Sequence, residues 1–437
     1  MGDGTDVESA ARRARMRSRM ERLYPLPRSL TGDGVRATLR VLAETVPLET
    51  VRVPSGTQVF DWTVGDEWNV RDAYIADASG RRVVDFAEHN LHLVGYSVPI
   101  RARVPLAELQ RHLHTLPGHP DWIPYRTSYY HRDWGFCLTQ RAADALADGE
   151  YDVVVDASLE PGELVYGELL VPGESGEEVI ITSHVCHPSL ANDNLTGLTV
   201  AVELAAWLAD RPHRYSYRFV LAPGTIGVLT WLSRNPEAIA RIRHGVVLTG
   251  LGGGGRLVWK RTRHGRRPVD VAASHVVRRL GGEVRDYSPY GYDERQFNAV
   301  GFDLPVGRLT RTPHGEYPEY HTSADDLDFV TDEELEESFV ALTRIVEVLE
   351  GDASYVNLSP YGEPQLGARG LYPTMGGKAA SDAVMAMLWT LAYADGSTSL
   401  VEVADLADLD FDQVRRAADD LIGAGLLAPA PPPTTST

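Results

Sequence analysis

Residues 183–197 read Ser-His-Val-Cys-His-Pro-Ser-Leu-Ala-Asn-Asp-Asn-Leu-Thr-Gly and crowd His184, His187 and Asp193 into one short run. Imidazole nitrogens and carboxylate oxygens are the donors that a divalent metal such as zinc takes. A second run, residues 314–327, adds His321 with Glu316, Glu319, Asp325 and Asp326 around it. Histidines and an aspartate on one ion, with acids nearby, are the parts of metal-assisted hydrolysis: the ion polarises a carbonyl and an acid carries the proton. The bland alternative is a histidine that satisfies a buried turn and an aspartate that caps a helix. The crowding of donors at one crossing, with a second histidine motif downstream, favours a metal site.

The elements that must position these residues are legible around them. Residues 177–182 form a β-branched run, the mark of a buried parallel strand. Leu198, Val202, Leu204 and Trp207 follow at helical spacing. The donor run is thus a strand-to-helix crossing at the carboxyl end of a strand, where open α/β sheets place their sites. Further strands are expected at residues 151–155, 164–170, 217–222, 244–249 and 302–306. Helices are expected at 269–280 and after Thr331, whose partner Glu334 completes a capping box. The glycine run 250–255 lacks the Lys-Ser/Thr of a phosphate loop and reads as a tight turn. The pair His89 and His92 resembles a ligand pair only superficially.

The predicted fold class is α/β: a mixed, mostly parallel sheet with helices on both faces. It carries a small β-rich inserted subdomain and a C-terminal winged-helix-like module. The expected boundaries are residues 1–47 with 139–352 for the α/β domain and 48–138 for the insert. A linker at 353–377, the module at 378–428 and a disordered tail at 429–437 follow. Aromatics cluster in and near the insert at Phe60, Trp62, Trp68, Trp122, Tyr125, Tyr129, Tyr130, Trp134 and Phe136; they read as its core, with some free to wall a pocket.

The totals exclude several classes. At 437 residues and 43% hydrophobic composition, the chain is globular and long enough for two or three domains. A net charge of −19 argues against nucleic acid as a partner. Within residues 378–428, Lys378, Arg415 and Arg416 face nine acids, a balance of −6, so the module reads as a protein-contact or packing unit. No apolar run is long enough to span a membrane, and the Arg-rich N-terminus lacks the apolar stretch of a signal peptide. Two cysteines, Cys137 and Cys186, give no disulfide framework and fit a reducing cytoplasm. Homo-oligomerisation is compatible with all of this.

His184, Asp193-Asn194 with Gly197, and Tyr320-His321-Thr322 with Asp325 and Asp326 resemble the metal-site signatures of the co-catalytic zinc aminopeptidases of the M28 type. Four longer runs, at residues 26–32, 186–194, 293–296 and 315–323, are similar over nearly the whole chain to the aminopeptidase-like proteins of the DUF4910 family. That family joins such a domain to a DUF2172 segment and a C-terminal winged helix. The resemblance implies that His184 binds one zinc, that Asp193 bridges, and that His321 binds a second. Three departures stand against a two-zinc site. Gly224-Thr225 stands where the pattern has two glutamates, a base and a ligand. Gly252-Gly253 stands where it has an aspartate ligand, and Cys186 replaces the aspartate that orients the first histidine.

What remains suits one zinc ion on His184, Asp193 and His321, with His187 as a replacement ligand, or no ion at all. The nearest candidates by motif for the base are then Glu316, Glu319, Glu294 and Asp293. The expected function is a divergent zinc hydrolase of the aminopeptidase or amidase type, acting on a small aminoacyl or peptide-like substrate in a biosynthetic pathway. The alternative is a catalytically degenerate binding or scaffold protein.

Overall fold

The computed structural model describes residues 2–129, 131–372 and 381–431. The chain divides into two compact units, one of residues 1–265 with 280–342, the other of residues 266–279 with 343–437.

An eight-stranded mixed sheet organises the first unit. Its spatial order is Glu49–Pro54, Glu163–Val171, Ser216–Ala222, Glu178–His184, Ile242–Leu248, Val306–Thr310, Val258–Lys260 and Glu283–Arg285. The four strands from Ser216–Ala222 to Val306–Thr310 are mutually parallel. The flanking pairs Glu49–Pro54 with Glu163–Val171, Glu163–Val171 with Ser216–Ala222, and Val258–Lys260 with Val306–Thr310 are antiparallel. Every residue of Glu178–His184 is buried, as expected for a strand covered on both faces. Ile181 lies opposite Phe219 on one side and Val246 on the other. The one cation in strand Ser216–Ala222, Arg218, is tolerated because Glu178 accepts from its Nε at 2.6 Å and Glu168 pairs with its Nη1. Helices Thr196–Ala209 and Ile226–Arg234 pack on the sheet.

A four-stranded sheet, in the order Arg82–Asp85, Glu67–Ala76, Glu150–Glu160, Ile100–Pro105, forms the second layer system of this unit. It corrects the expected insert boundaries at both ends. Glu49–Pro54 is an edge of the main sheet, because Val53 packs with Leu164 and Tyr166 in the main core. Glu150–Glu160 belongs to the small sheet, because Tyr151, Val153, Val155 and Ala157 pack with Trp68, Ile75 and Phe136. Residues 302–306 also differ from expectation. Asp303 takes a left-handed φ of 49° and Phe302 N donates to Ala299 O, so this is a turn, and the strand is Val306–Thr310.

The second unit contains helices Asp382–Tyr393, Leu400–Ala407 and Phe411–Gly423. Its sheet has the order Asp395–Ser399, Ser354–Asn357, Leu427–Pro429. Capping boxes of Ser399 with Glu402 and of Asp410 with Gln413 start two of the helices. The expected linker at 353–377 is corrected at its start: Ser354–Asn357 is the middle strand of this sheet. Tyr130, Lys378 and the tail from residue 432 lie outside the described residues. Among the described residues, no helix is long and apolar enough to cross a membrane.

Candidate metal centre

Strand Glu178–His184 delivers His184 to its carboxyl end, and the chain returns through Ala191–Leu195 into helix Thr196–Ala209. Gly197 is required at the start of that helix, because a Cβ there would lie 2.5 Å from Asn194 Oδ1 and 2.6 Å from both Leu248 O and Ser183 Oγ. Asn194 fills the space it leaves. Asn194 Oδ1 accepts from Gly197 N at 3.3 Å and Gly250 N at 3.2 Å, and Nδ2 donates to Ser183 Oγ at 2.8 Å. Asp325 accepts from Asn192 N and Asp193 N, tying the loop of Asp193 to the segment that carries His321. Buried Arg28 donates from Nε to His187 O at 2.9 Å. Tyr125 N donates to His321 O at 2.8 Å, so the aromatic segment is anchored to the same segment.

The structure brings His184, His187, Asp193 and His321 together around one carboxylate. His184 Nε2 lies 2.8 Å from Asp193 Oδ1. His187 Nδ1 lies 3.5 Å and His321 Nε2 3.0 Å from Asp193 Oδ2. These last three atoms are buried, and none of them makes a hydrogen bond. Close approach of buried donor atoms without hydrogen-bond alignment fits a cation and is costly without one. Burial pushes the His187 imidazole down to about 3, so it is neutral, the form that ligates. Burial alone would raise the Asp193 carboxyl, yet the neighbouring imidazoles of His187 and His184 hold it well below the usual range.

A pocket of about 260 Å³ opens on this cluster. Its walls include Trp62, Tyr125, Tyr129, Tyr292 and Tyr320, and its floor includes Cys186, Gly224, Thr225 and Asp293. Tyr292 stacks on His184 and Tyr320 on His321, with ring centroids 5.2 and 3.9 Å apart. A neighbouring hollow of about 580 Å³ shares Trp62 and Tyr129. Burial pushes the Cys186 thiol up to about 12, so it stays protonated and is not a nucleophile. Its Sγ instead accepts from Gly224 N at 3.2 Å.

Of the four acids expected as bases, only Asp293 lines the pocket. Its Oδ1 accepts from Thr225 N at 2.9 Å, its Oδ2 is buried without a hydrogen bond, and burial raises its carboxyl above the ordinary range. It therefore sits against the backbone of Gly224-Thr225, where the sequence lacks the expected glutamates. Glu294 is buried in a pair with Lys260 at 2.9 Å, Glu316 is exposed and pairs with Arg285, and Glu319 is half-buried; none of the three lines the pocket. His92 bonds Cys137 O and His89 accepts from Leu91 N, both local structural roles. No separate signal marks Tyr292 as a wall, although its place beside Asp293 could have suggested it.

The mixed sheet with a parallel centre is similar in fold to zinc aminopeptidases of known structure. A zinc aminopeptidase from Bacillus subtilis matches with a TM-score of 0.55 at 14% identity, over 76% of this chain and 94% of that one. A Shewanella amazonensis M28 peptidase precursor matches at 0.52 and 14%, over 80% and 97%. The chain belongs to the DUF4910 family, whose model, described as a domain of unknown function, matches residues 18–352. A winged helix-turn-helix model matches residues 353–429. A Clostridium acetobutylicum protein named for polysaccharide biosynthesis and an aminopeptidase-like domain is 45% identical over 413 residues, 93% of this chain and 94% of its own length. A crystal structure from the same organism, provisionally described as a peptidase, has a TM-score of 0.91 at 42% identity, covering 96% of this chain and 97% of that one.

Proposed function

We propose that the chain is a hydrolase dependent on a single zinc ion, cleaving an amide in a small aminoacyl or peptide-like substrate. The observation that carries this reading is the set of three buried, unbonded donor atoms on His187, Asp193 and His321, two of whose residues, His187 and His321, line an aromatic-walled pocket. Zinc in this cluster supplies Lewis acidity toward a carbonyl and acidifies water. The chain's own residues do the rest. Asp293, with one oxygen held by Thr225 N and the other unpaired, would take at Oδ2 the proton of the water that adds to the carbonyl carbon and return it to the amine as the C–N bond breaks. The rings of Trp62, Tyr125, Tyr129 and Tyr292 exclude water and hold the substrate's apolar surface. A pocket of about 260 Å³ suits one residue-sized group. The name of the Clostridium acetobutylicum relative supports a substrate from polysaccharide biosynthesis.

The test is metal analysis of the chain purified without added zinc, followed by hydrolysis of a panel of aminoacyl amides. About one equivalent of zinc and an activity lost in His321→Ala are expected. Absence of zinc together with no hydrolysis would leave the scaffold reading, and an amidase activity untouched by His321→Ala would remove His321 and its ion from the mechanism.

A further inference from the structure

Resting on the zinc reading above, we infer that the ion is held by His187 Nδ1, Asp193 Oδ2 and His321 Nε2. His184 stands outside the coordination sphere as a positioning residue that donates from Nε2 to Asp193. This departs from the ligand role that the family resemblance implies for His184.

The assignment follows from the Asn194 side chain. Two backbone N–H groups, of Gly197 at 3.3 Å and Gly250 at 3.2 Å, point at Oδ1 and fix which end of the amide is oxygen. Nδ2 therefore faces Ser183 Oγ at 2.8 Å, His184 Nδ1 and Leu248 O each at 3.2 Å, and His184 O at 3.4 Å. An amide nitrogen donates and does not accept, so Nδ1 is the acceptor in this contact. The proton of the neutral imidazole then sits on Nε2, which lies 2.8 Å from Asp193 Oδ1, a hydrogen-bond distance. A nitrogen that carries a proton has no lone pair for a metal. A ligating histidine needs an acceptor for its other N–H. The acceptor implied for His184 is replaced by Cys186, whose sulfur is taken by Gly224 N.

The three remaining atoms have the complementary property. Each is buried and without a hydrogen bond. His187 Nδ1 and His321 Nε2 lie 3.5 and 3.0 Å from Asp193 Oδ2, close to the roughly 3.4 Å between two donors on one ion with bonds of about 2.1 Å. His184, His187 and Asp193 also offer donor atoms within 4.8 Å of one another, so proximity alone does not choose His321 over His184; the proton on His184 Nε2 does. Three protein donors leave one position open, the count of a catalytic zinc.

The experiment measures zinc affinity of the full chain by competition with a chromophoric chelator. X-ray absorption counts the imidazoles on the ion, and ¹⁵N spectra of labelled histidine read the His184 ring. The wild type should show two imidazoles, and His184 should keep its Nε2 proton with zinc bound. His184→Gln, whose amide can replace the donated N–H, should keep two imidazoles and bind within about tenfold of wild type, the mild end of outer-shell losses. His187→Ala and His321→Ala should each lose an imidazole and weaken binding by more than about 100-fold. Three imidazoles in the wild type, a zinc-induced loss of the His184 proton, or no zinc bound would overturn the assignment. If His184→Gln loses zinc as steeply as His187→Ala, the ¹⁵N readout on the unmodified chain decides between a lost ligand and a damaged fold. Zinc bound as assigned without amide hydrolysis would sink the hydrolase reading and leave the ligand set standing.

Discussion

The Asp325 carboxylate grips the backbone of Asp193: Oδ2 accepts from Asp193 N at 2.9 Å, while Oδ1 accepts from Asn192 N at 2.5 Å. Asp325 follows His321 closely in the chain and is fully buried. One side chain therefore sets the spacing between two donor-bearing segments that are distant in sequence.

Asp325→Ala should weaken zinc binding by about 10–100-fold, the range for lost outer-shell support. It should also destabilise the first unit by about 1–3 kcal/mol, because two buried N–H groups lose their acceptor. Chelator competition and denaturant titration check the two effects separately.

Asp293→Asn preserves the acceptor for Thr225 N and removes the base. We expect kcat on an aminoacyl amide to fall about 10²–10⁴-fold with zinc content unchanged. Burial raises this carboxyl. The wild-type acid limb should therefore lie above the ordinary carboxylate range, with activity rising as pH rises through it. A variant that keeps the same limb would assign it to another group.

Glu67 links helix Asp33–Leu42 to the small sheet. The Arg36 hydrogen bond, with further help from Glu163 N and Asn69, lowers its carboxyl from 4.5 to about 2. A depressed folded value stabilises the protein above pH 4.5, and that contribution is lost as pH falls toward 2. Glu67→Gln should cost about 1–2 kcal/mol at neutral pH, discounted for partial exposure. The cost should shrink between pH 4.5 and 2, as thermal unfolding across that window would show.

The exposed positions of helix Phe411–Gly423 include Asp412, Asp419 and Asp420 against Arg416. Despite the match to a winged helix-turn-helix model, duplex DNA should not be retarded by the full chain at about 0.15 M salt, because the phosphate backbone meets like charge. A shift on native gels would reverse this expectation.

The parallel core and the donor run were legible because they combine a local period with a local motif. Residues 177–182 carry their burial in their composition, and His184, His187 and Asp193 lie within one crossing. The convergence of His321 was legible only through its motif. The insert boundaries were not legible, because nothing local in the strands Glu49–Pro54 and Glu150–Glu160 names a sheet and only their long-range partners decide which sheet each joins. The choice among four acids was equally closed to sequence. Glu294 adjoins Asp293 in the chain, yet one faces Lys260 and the other faces the pocket.

Trp62, Tyr125 and Tyr129 reach the cavity from outside the crossing that carries His184, His187 and Asp193. Tyr292 and Tyr320 adjoin Asp293 and His321, whereas these three walls, on the proposed reading, lie on other stretches of the polypeptide than the donors and can change independently of them. Relatives with an identical donor set can diverge in what they admit through exchanges of these rings alone. A screen on this chain should therefore vary the bulk of the side group before it varies the scissile bond.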